Sequence, residues 1–321
     1  MLDIIPVKDD GMTSCFDVQL EALGIWKKVG FELMYLDNWK FFFSNTEVKK
    51  AGIWERGKIA PRLYFDDKLR TVELFEKYHG VKTYFRDIKK DKLQQTIDYN
   101  LFDKKMPVLV GIDTFYLPWL QNFYNKVHSD HYIMIVGKSE NGYLVNDTRP
   151  FLMDPVHGEE LGLGKLFYGY RNLLIDFQIK KKEYCNLEIV EELLNLDFSM
   201  FTMMYKFSDF LKDNVIDLED IENFGGGNGI LIRAFRNIIR CRMHFAISLK
   251  YINENCIKVV HVIEEFNNII KKWTIIKSLL YKSYLSKCYS SINKKISIMI
   301  NEVAEYEEKV ALEFIMLLKN N

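Results

Sequence analysis

The apolar residues of this chain follow one pattern up to about residue 180 and a different pattern after it. Before that point, apolar runs of strand length alternate with segments in which apolar residues recur every three or four positions. After it, only the three- and four-residue spacing continues, which is the period of an amphipathic helix. The pattern therefore predicts an α+β domain over residues 1–180 and an all-α region over residues 181–321.

Three apolar runs in the first part predict a small antiparallel sheet. They are Met106–Asp113, His131–Gly137 and Gly142–Asp147, and Ser139–Gly142 supplies a hairpin turn between the last two. The other elements predicted before residue 100 are helices at 15–30, 69–78 and 87–99 and a strand at 81–85. Residues 31–43 are rich in aromatic side chains, which fits a strand, an aromatic-lined wall or ordinary core.

The second part predicts a series of amphipathic helices. Their ranges are 187–196, 198–211, 230–253, 257–285 and 292–318. The last has the clearest period, because its apolar side chains recur along one helical face from Ile296 to Leu317.

Charge and cysteine content narrow the class of protein. Lys plus Arg and Asp plus Glu are both 44, so the formal net charge is zero, which argues against a protein that coats nucleic acid. The five cysteines are scattered and form no CxxC pair, as in a reducing compartment. The N-terminus has neither the basic segment nor the long apolar run of a signal peptide, so we expect none. No apolar run reaches the ~18 residues of a membrane span. We therefore expect a cytoplasmic protein without a membrane-inserted segment.

Cys15 is the first candidate for chemistry. Thr13 and Ser14 are helix N-cap residue types, so Cys15 is expected in the first turn of a helix. Unpaired backbone N–H groups and the positive end of the helix dipole both favour a thiolate there. The alternative is that Cys15 is a small buried apolar residue.

A histidine and an acid are predicted to lie near each other on the sheet. His131 opens one strand of the hairpin, and Asn146 and Asp147 end its antiparallel partner. Only one of the two can share the face of His131, because strand side chains alternate. An acid or amide on one ring nitrogen fixes the tautomer, and the other nitrogen can then take a proton from a thiol. The pattern leaves the choice between Asn146 and Asp147 open.

Several short segments resemble a known family. The order of Cys on a helix, then His and Asp on successive strands, is that of papain-like cysteine enzymes. The local sequences resemble the N-terminal domain of the butirosin-biosynthesis acyltransferase family, and are similar to the amide-forming, cysteine-protease-like enzymes of polythioamide (closthioamide) antibiotic biosynthesis. The matching segments are Gly11–Cys15, Pro107–Pro118, His128–Gly137 and Val145–Asp147. The likeness continues more weakly into the helical part.

The resemblance implies a papain-like fold and a specific chemistry. Such enzymes take an acyl group from a carrier-protein thioester onto a cysteine and pass it to an amine, without a metal or a cofactor beyond the phosphopantetheine of the carrier. It implies Cys15 as nucleophile, His131 as base and Asp147 as orienting acid. Papain-like proteases carry a Gln six residues before the Cys, where this chain has Asp9, a poor oxyanion donor.

Two further sets of residues are expected to bind substrate or partner. The turn with Phe115, Tyr116 and Trp119 is expected to line the acyl site and keep water out. A Gly-rich turn at 225–229 precedes a helix with Arg233 and Arg236, and either grips the phosphate of a phosphopantetheine arm or is a flexible loop.

The helices around this turn carry an uneven charge. Residues 231–295 hold 13 Lys and Arg against three acids. This segment either docks an acidic carrier protein, pairs with the acidic helices before it, or lies on a membrane surface.

Three other functions remain open at this point. The same fold can be a peptidase or thioesterase, in which water takes the place of the amine. A binding protein with an incidental cysteine is a second alternative. The third is a metal site at His128, Asp130 and His131 with Asp154 or His157, which is disfavoured because an HxxH spacing at a strand entry places the two imidazoles on opposite faces.

Overall fold

The chain has a mixed α+β fold, as predicted. The structure, a computed structural model, describes residues 1–8, 14–46, 58–64, 68–148, 154–180, 182–214, 216, 220, 229–286 and 292–320. These residues form two compact units, one of residues 1–31 and 72–183 and the other of residues 32–71 and 184–321.

The first unit is built on a six-stranded antiparallel sheet. Its strands stand in the order β3-β8-β4-β5-β6-β7. They are β3 (Val81–Asp87), β4 (Val108–Asp113), β5 (Asp130–Lys138), β6 (Gly142–Asp147), β7 (Val156–Gly162) and β8 (Tyr170–Ile179). All four predicted strands are confirmed. So is the β5–β6 hairpin, in which the Gly142 backbone N–H donates to the Ser139 hydroxyl at 3.0 Å.

Helices cover the sheet because each strand alternates its apolar side chains between two faces. One face, with Val110, Ile133 and Val145, forms a core with Leu93 and Ile97 of helix α3 (Lys90–Asp98). Helix α1 (Cys15–Lys27) packs against β5 on the other face. The unit also holds α4 (Leu163–Gly169) and most of α2 (Lys68–His79).

The second unit is mainly helical. It contains α5 (Asn186–Leu194), α6 (Met200–Asp213), α7 (Ile230–Asn255), α8 (Val260–Ser286) and α9 (Asn293–Lys319), together with the short pair β1 (Phe42–Phe43) and β2 (Leu63–Tyr64). The predicted helical period in this part of the chain is confirmed.

The aromatic stretch around residues 35–43 belongs to this helical unit. The Trp39 ring packs within 4.6 Å of Phe266 and 5.4 Å of Phe245, and the Phe41 ring lies 6.1 Å from Trp273. The interpretation of the stretch as ordinary core is therefore confirmed. Within the range 32–71, the residues that the structure describes group with the helical unit.

Among the residues that the structure describes, no helix is both long and apolar enough to cross a membrane.

Candidate active site

The start of α1 presents Cys15 in the way its sequence predicts. Ser14 is the N-cap, with extended backbone, and its hydroxyl accepts the Asp17 backbone N–H at 3.1 Å. Cys15 is therefore the first residue of the helix, where the backbone N–H groups have no acceptor within the helix. The residue as a whole is half-buried. Gly11, Met12 and Thr13 lie outside the described residues.

The pairing of β5 with β6 decides which residue meets His131. Met134 stands opposite Asn146, which places Asp147 on the other face, with Ile133 and His131. His131 Nε2 lies 2.7 Å from Asp147 Oδ1. Since a carboxylate only accepts, Nε2 carries a proton and donates it to Asp147. The other ring nitrogen, Nδ1, is left for the thiol.

Asn146 has a different task. Its side-chain Nδ2 donates to the Ile4 carbonyl at 2.6 Å, and its Oδ1 accepts the Gly158 backbone N–H at 3.0 Å. Asn146 thus ties the N-terminal segment and β7 to β6, on the face opposite the imidazole.

Both carboxylate oxygens of Asp147 are occupied by donors. Oδ1 accepts the Thr148 backbone N–H at 2.7 Å as well as His131, and Oδ2 accepts the Trp119 indole N–H at 2.7 Å. The Asp147 side chain is fully buried, and that of His131 is 12% exposed. The acid is thus shielded from solvent, while the imidazole remains partly exposed.

The electrostatics of the site favour a charged thiol and imidazole. Burial alone raises the pKa of the Cys15 thiol, but the charge and hydrogen bond of His131 and the Tyr132 backbone N–H together hold that pKa below its ordinary value. Burial lowers the pKa of His131, but Asp147 and Cys15 outweigh it and raise that pKa well above its ordinary value. The two shifts favour a thiolate beside an imidazolium, which is an activated nucleophile with a proton donor next to it.

His128 and His131 bind different carboxylates. His128 Nδ1 lies 2.7 Å from Asp113 Oδ2, whereas His131 is bound to Asp147, and Asp154 is paired with Lys8. Within the described parts of the chain, no three His, Cys, Asp or Glu side chains are placed to hold a metal ion.

The predicted acyl-site residues lie in the segment between β4 and β5. Trp119 contacts Asp147, and the Phe115 ring stacks on the His128 ring with centroids 4.4 Å apart. The Tyr116 ring lies 6.4 Å from that of Tyr168. Their contact with an acyl group stays a prediction.

The predicted partner-binding residues lie in the helical unit. Arg233 is exposed and Arg236 half-buried, both on α7. Arg242, which the basic segment also included, is fully buried and paired with Glu307, so it cannot belong to a docking face. Asp9 and residues 225–228 of the Gly-rich turn lie outside the described residues.

Sequence reasoning missed two contacts of the site. The first is the Trp119–Asp147 hydrogen bond, because Trp119 was assigned to substrate alone. The second is Gln19, one turn after Cys15 on α1, which is buried and donates to the Asn146 carbonyl at 3.5 Å. The four-residue spacing from Cys15 was the available signal.

One comparison with known families bears on this site. The model of the family described as Butirosin biosynthesis protein H, N-terminal, matches residues 50–148. This range holds Trp119, His131 and Asp147, lies after Cys15 and covers less than half of the chain. Over it, the chain is similar to a family of biosynthetic proteins. No curated protein matches the chain.

Proposed function

We propose that this chain is a cysteine-dependent acyltransferase that moves an acyl group from a carrier-protein thioester to an amine in antibiotic biosynthesis. The observation that carries the proposal is the Cys15–His131–Asp147 arrangement, with a thiol at a helix start and an imidazole oriented by a buried acid. The family match over residues 50–148 supports the biosynthetic setting.

The proposed reaction has two steps. In the first, the Cys15 thiolate attacks the thioester carbonyl, the bond from that carbon to the carrier sulfur breaks, and the departing carrier thiolate takes the proton of the His131 imidazolium and leaves as a thiol. In the second, an amine attacks the Cys15 thioester, His131 accepts the amine proton, and Cys15 leaves as the thiolate. The exchange of one thioester for another is near neutral, and amide formation from a thioester is downhill, so this chemistry proceeds without ATP.

Intact-mass spectrometry of the protein tests the proposal. Incubation with an acyl-carrier thioester should add the mass of one acyl group, and a peptide map should place it on Cys15. Addition of an amine should remove the adduct and yield the amide. Release of only the free acid in the presence of amine would make the protein a thioesterase, and absence of any adduct would contradict acyl transfer.

The structure also predicts that Asp147→Asn and Asn146→Ala fail in different ways. His131 and Trp119 lie at different carboxylate oxygens, so Asn at 147 would turn its NH2 group, a donor, toward one of them. We expect kcat to fall by about 10²-fold or more in Asp147→Asn, with little change in KM. Asn146→Ala removes only the bonds to Ile4 and Gly158, so it should lower the midpoint of thermal unfolding while kcat stays within a few-fold. The reverse ranking of kcat would show that Asn146 supports the imidazole.

We further propose that the helical unit docks the carrier protein. Arg233, Arg236 and Arg240 recur along α7 at positions three and four residues apart. Burial and the nearby charge of Arg236 both hold the pKa of Lys277 below its ordinary value, so Arg236 and Lys277 bring two basic groups close together here. Such a surface suits the acidic surface of a carrier protein.

Charge reversal tests this docking surface. Arg233, Arg236 and Arg240 changed together to Glu should raise KM for a carrier-bound substrate by about tenfold or more, because each charge pair with the carrier contributes modestly and several losses add. Turnover of a small thioester without a carrier should barely change, and carrier affinity should fall as salt rises. The matched control reverses the exposed Lys206, Lys212 and Lys309 of the same unit, with the same change in net charge. Equal losses on both substrates would assign the arginines to the fold.

A further inference from the structure

Trp119 lies in the segment that joins β4 to β5, next to the proposed reaction centre. Its side chain is half-buried, and two neighbours, Leu117 and Leu120, are buried in the core that the sheet forms with α3. The backbone of this segment is therefore anchored on both sides of Trp119.

Hydrogen bonds also hold the two ends of the segment together, and Asp113 accepts most of them. Its Oδ1 accepts the backbone N–H groups of Phe115 at 3.1 Å and Ser129 at 3.3 Å. Its Oδ2 lies 2.7 Å from His128 Nδ1 and accepts from Arg171 Nη2 at 2.6 Å. A compact segment whose ends are joined by hydrogen bonds can hold one of its side chains in a fixed position.

The Trp119 indole N–H donates to the far oxygen of the acid, Asp147 Oδ2. Asp147 Oδ1 is bound by His131 and by the Thr148 backbone N–H, and these two bonds hold only one side of a carboxylate whose plane turns about the Cβ–Cγ bond. The 2.7 Å bond from Trp119 Nε1 to Oδ2 fixes the second oxygen and so the plane. A hydrogen bond to a buried charged group is among the stronger ones in proteins.

We propose that Trp119 is a positioning residue for the proton-transfer pair: its indole N–H fixes the Asp147 carboxylate, which aims His131 at Cys15. This inference deepens the proposed function by naming a residue that acts through Asp147. It gives Trp119 a task in the chemistry rather than only in lining an acyl pocket.

The test compares Trp119→Phe with Trp26→Phe. The first removes the indole N–H at Asp147, and the second removes one from the far end of α1, where the Trp26 ring lies 3.7 Å from Lys27 Nζ. Alkylation of Cys15 by iodoacetamide, followed by peptide mapping from pH 4 to 9, reports how readily the thiolate forms. In Trp119→Phe the imidazolium is positioned less firmly beside the thiol, so alkylation at weakly acidic pH should be about tenfold slower. The acid limb of the plot of alkylation rate against pH should move to higher pH. Trp26→Phe should keep the wild-type profile.

Alkylation requires no acyl donor, so the inference can be judged apart from the proposed function. A shifted limb in a protein that forms no acyl-enzyme would support the positioning role and contradict the transferase. An unchanged limb in a protein that does form an acyl-enzyme would overturn the positioning role alone.

Two further measurements separate positioning from packing. Benzothienylalanine at position 119 keeps the bicyclic ring but replaces N–H by sulfur, and should reproduce the shift of Trp119→Phe even if the phenylalanine variant folds poorly. In an Asp147→Asn background, Trp119→Phe should add little further change, because both act through the same acid. Independent, additive effects, or a wild-type profile with benzothienylalanine, would show that the ring only packs.

Discussion

Cys15→Ala is expected to abolish acyl transfer while the protein stays folded. In the proposed mechanism the Cys15 thiol forms the acyl-enzyme, and His131, which is bound to Asp147, carries the proton. Removal of a nucleophile of this kind lowers kcat by about 10⁴-fold or more in well-studied enzymes. Alanine suits the first turn of a helix, and the Ser14 cap does not involve the Cys15 side chain, so the unfolding midpoint should move little.

The measurement is intact mass after incubation with the acyl-carrier thioester, together with product formation. Cys185→Ala is the matched control, because Cys185 is an exposed thiol that precedes α5 and lies in the other unit. It should keep wild-type turnover. Cys15→Ala with more than a few per cent of wild-type turnover, or an acyl adduct on another residue, would remove Cys15 from the mechanism.

The site shows what local sequence can predict. The N-cap types before Cys15 predict the helix start, and the apolar runs with a polar turn predict the β5–β6 hairpin that carries His131 and Asp147. Both are local features with a fixed period. The choice between Asn146 and Asp147 needed the register, because one step along a strand moves a side chain to the other face.

The parts that the sequence did not predict depend on distant partners. Strand β8 inserts between β3 and β4, and β7 forms the sheet edge with only two buried residues, and neither strand shows a regular alternation of buried and exposed residues. The hydrogen bond between Trp119 and Asp147 was not predictable either, because Trp119 lies in an irregular segment with no helical or strand period. Likewise, the aromatic stretch around Trp39 can be identified as core from composition, but not as the core of the helical unit.

The second large effect concerns the interior of that unit. The carboxylate of Glu307 is fully buried and accepts from Trp39 Nε1 at 2.7 Å, from Trp273 Nε1 at 2.6 Å and from Arg242 Nη2 at 2.9 Å. Arg242 is also fully buried, and its Nη1 donates to the Lys40 carbonyl. A single carboxylate therefore satisfies a guanidinium and two indoles that have lost their contact with water.

Glu307→Ala should lower the free energy of unfolding by about 3–5 kcal/mol, because it leaves the Arg242 charge buried without its partner. Glu307→Gln keeps the shape and one acceptor, and should lose about 1–3 kcal/mol. Urea unfolding followed by tryptophan emission measures both, since Trp39 and Trp273 report on this cluster. Glu308→Ala is the control: that neighbouring side chain is exposed and accepts from the Tyr205 hydroxyl, so the loss should stay below about 1 kcal/mol.

The double change Glu307→Gln with Arg242→Met separates the cost of an unpaired charge from that of lost packing. Methionine removes the guanidinium while keeping much of its apolar length, so the remaining amide oxygen can serve an indole with no buried charge nearby. We therefore expect the double variant to be more stable than Glu307→Ala, although it carries more substitutions. If it is equally unstable, the cluster is held by the packing of its aromatic rings rather than by its charges. A loss below about 1 kcal/mol in Glu307→Ala would mean that the guanidinium finds another acceptor or reaches water, which its complete burial argues against.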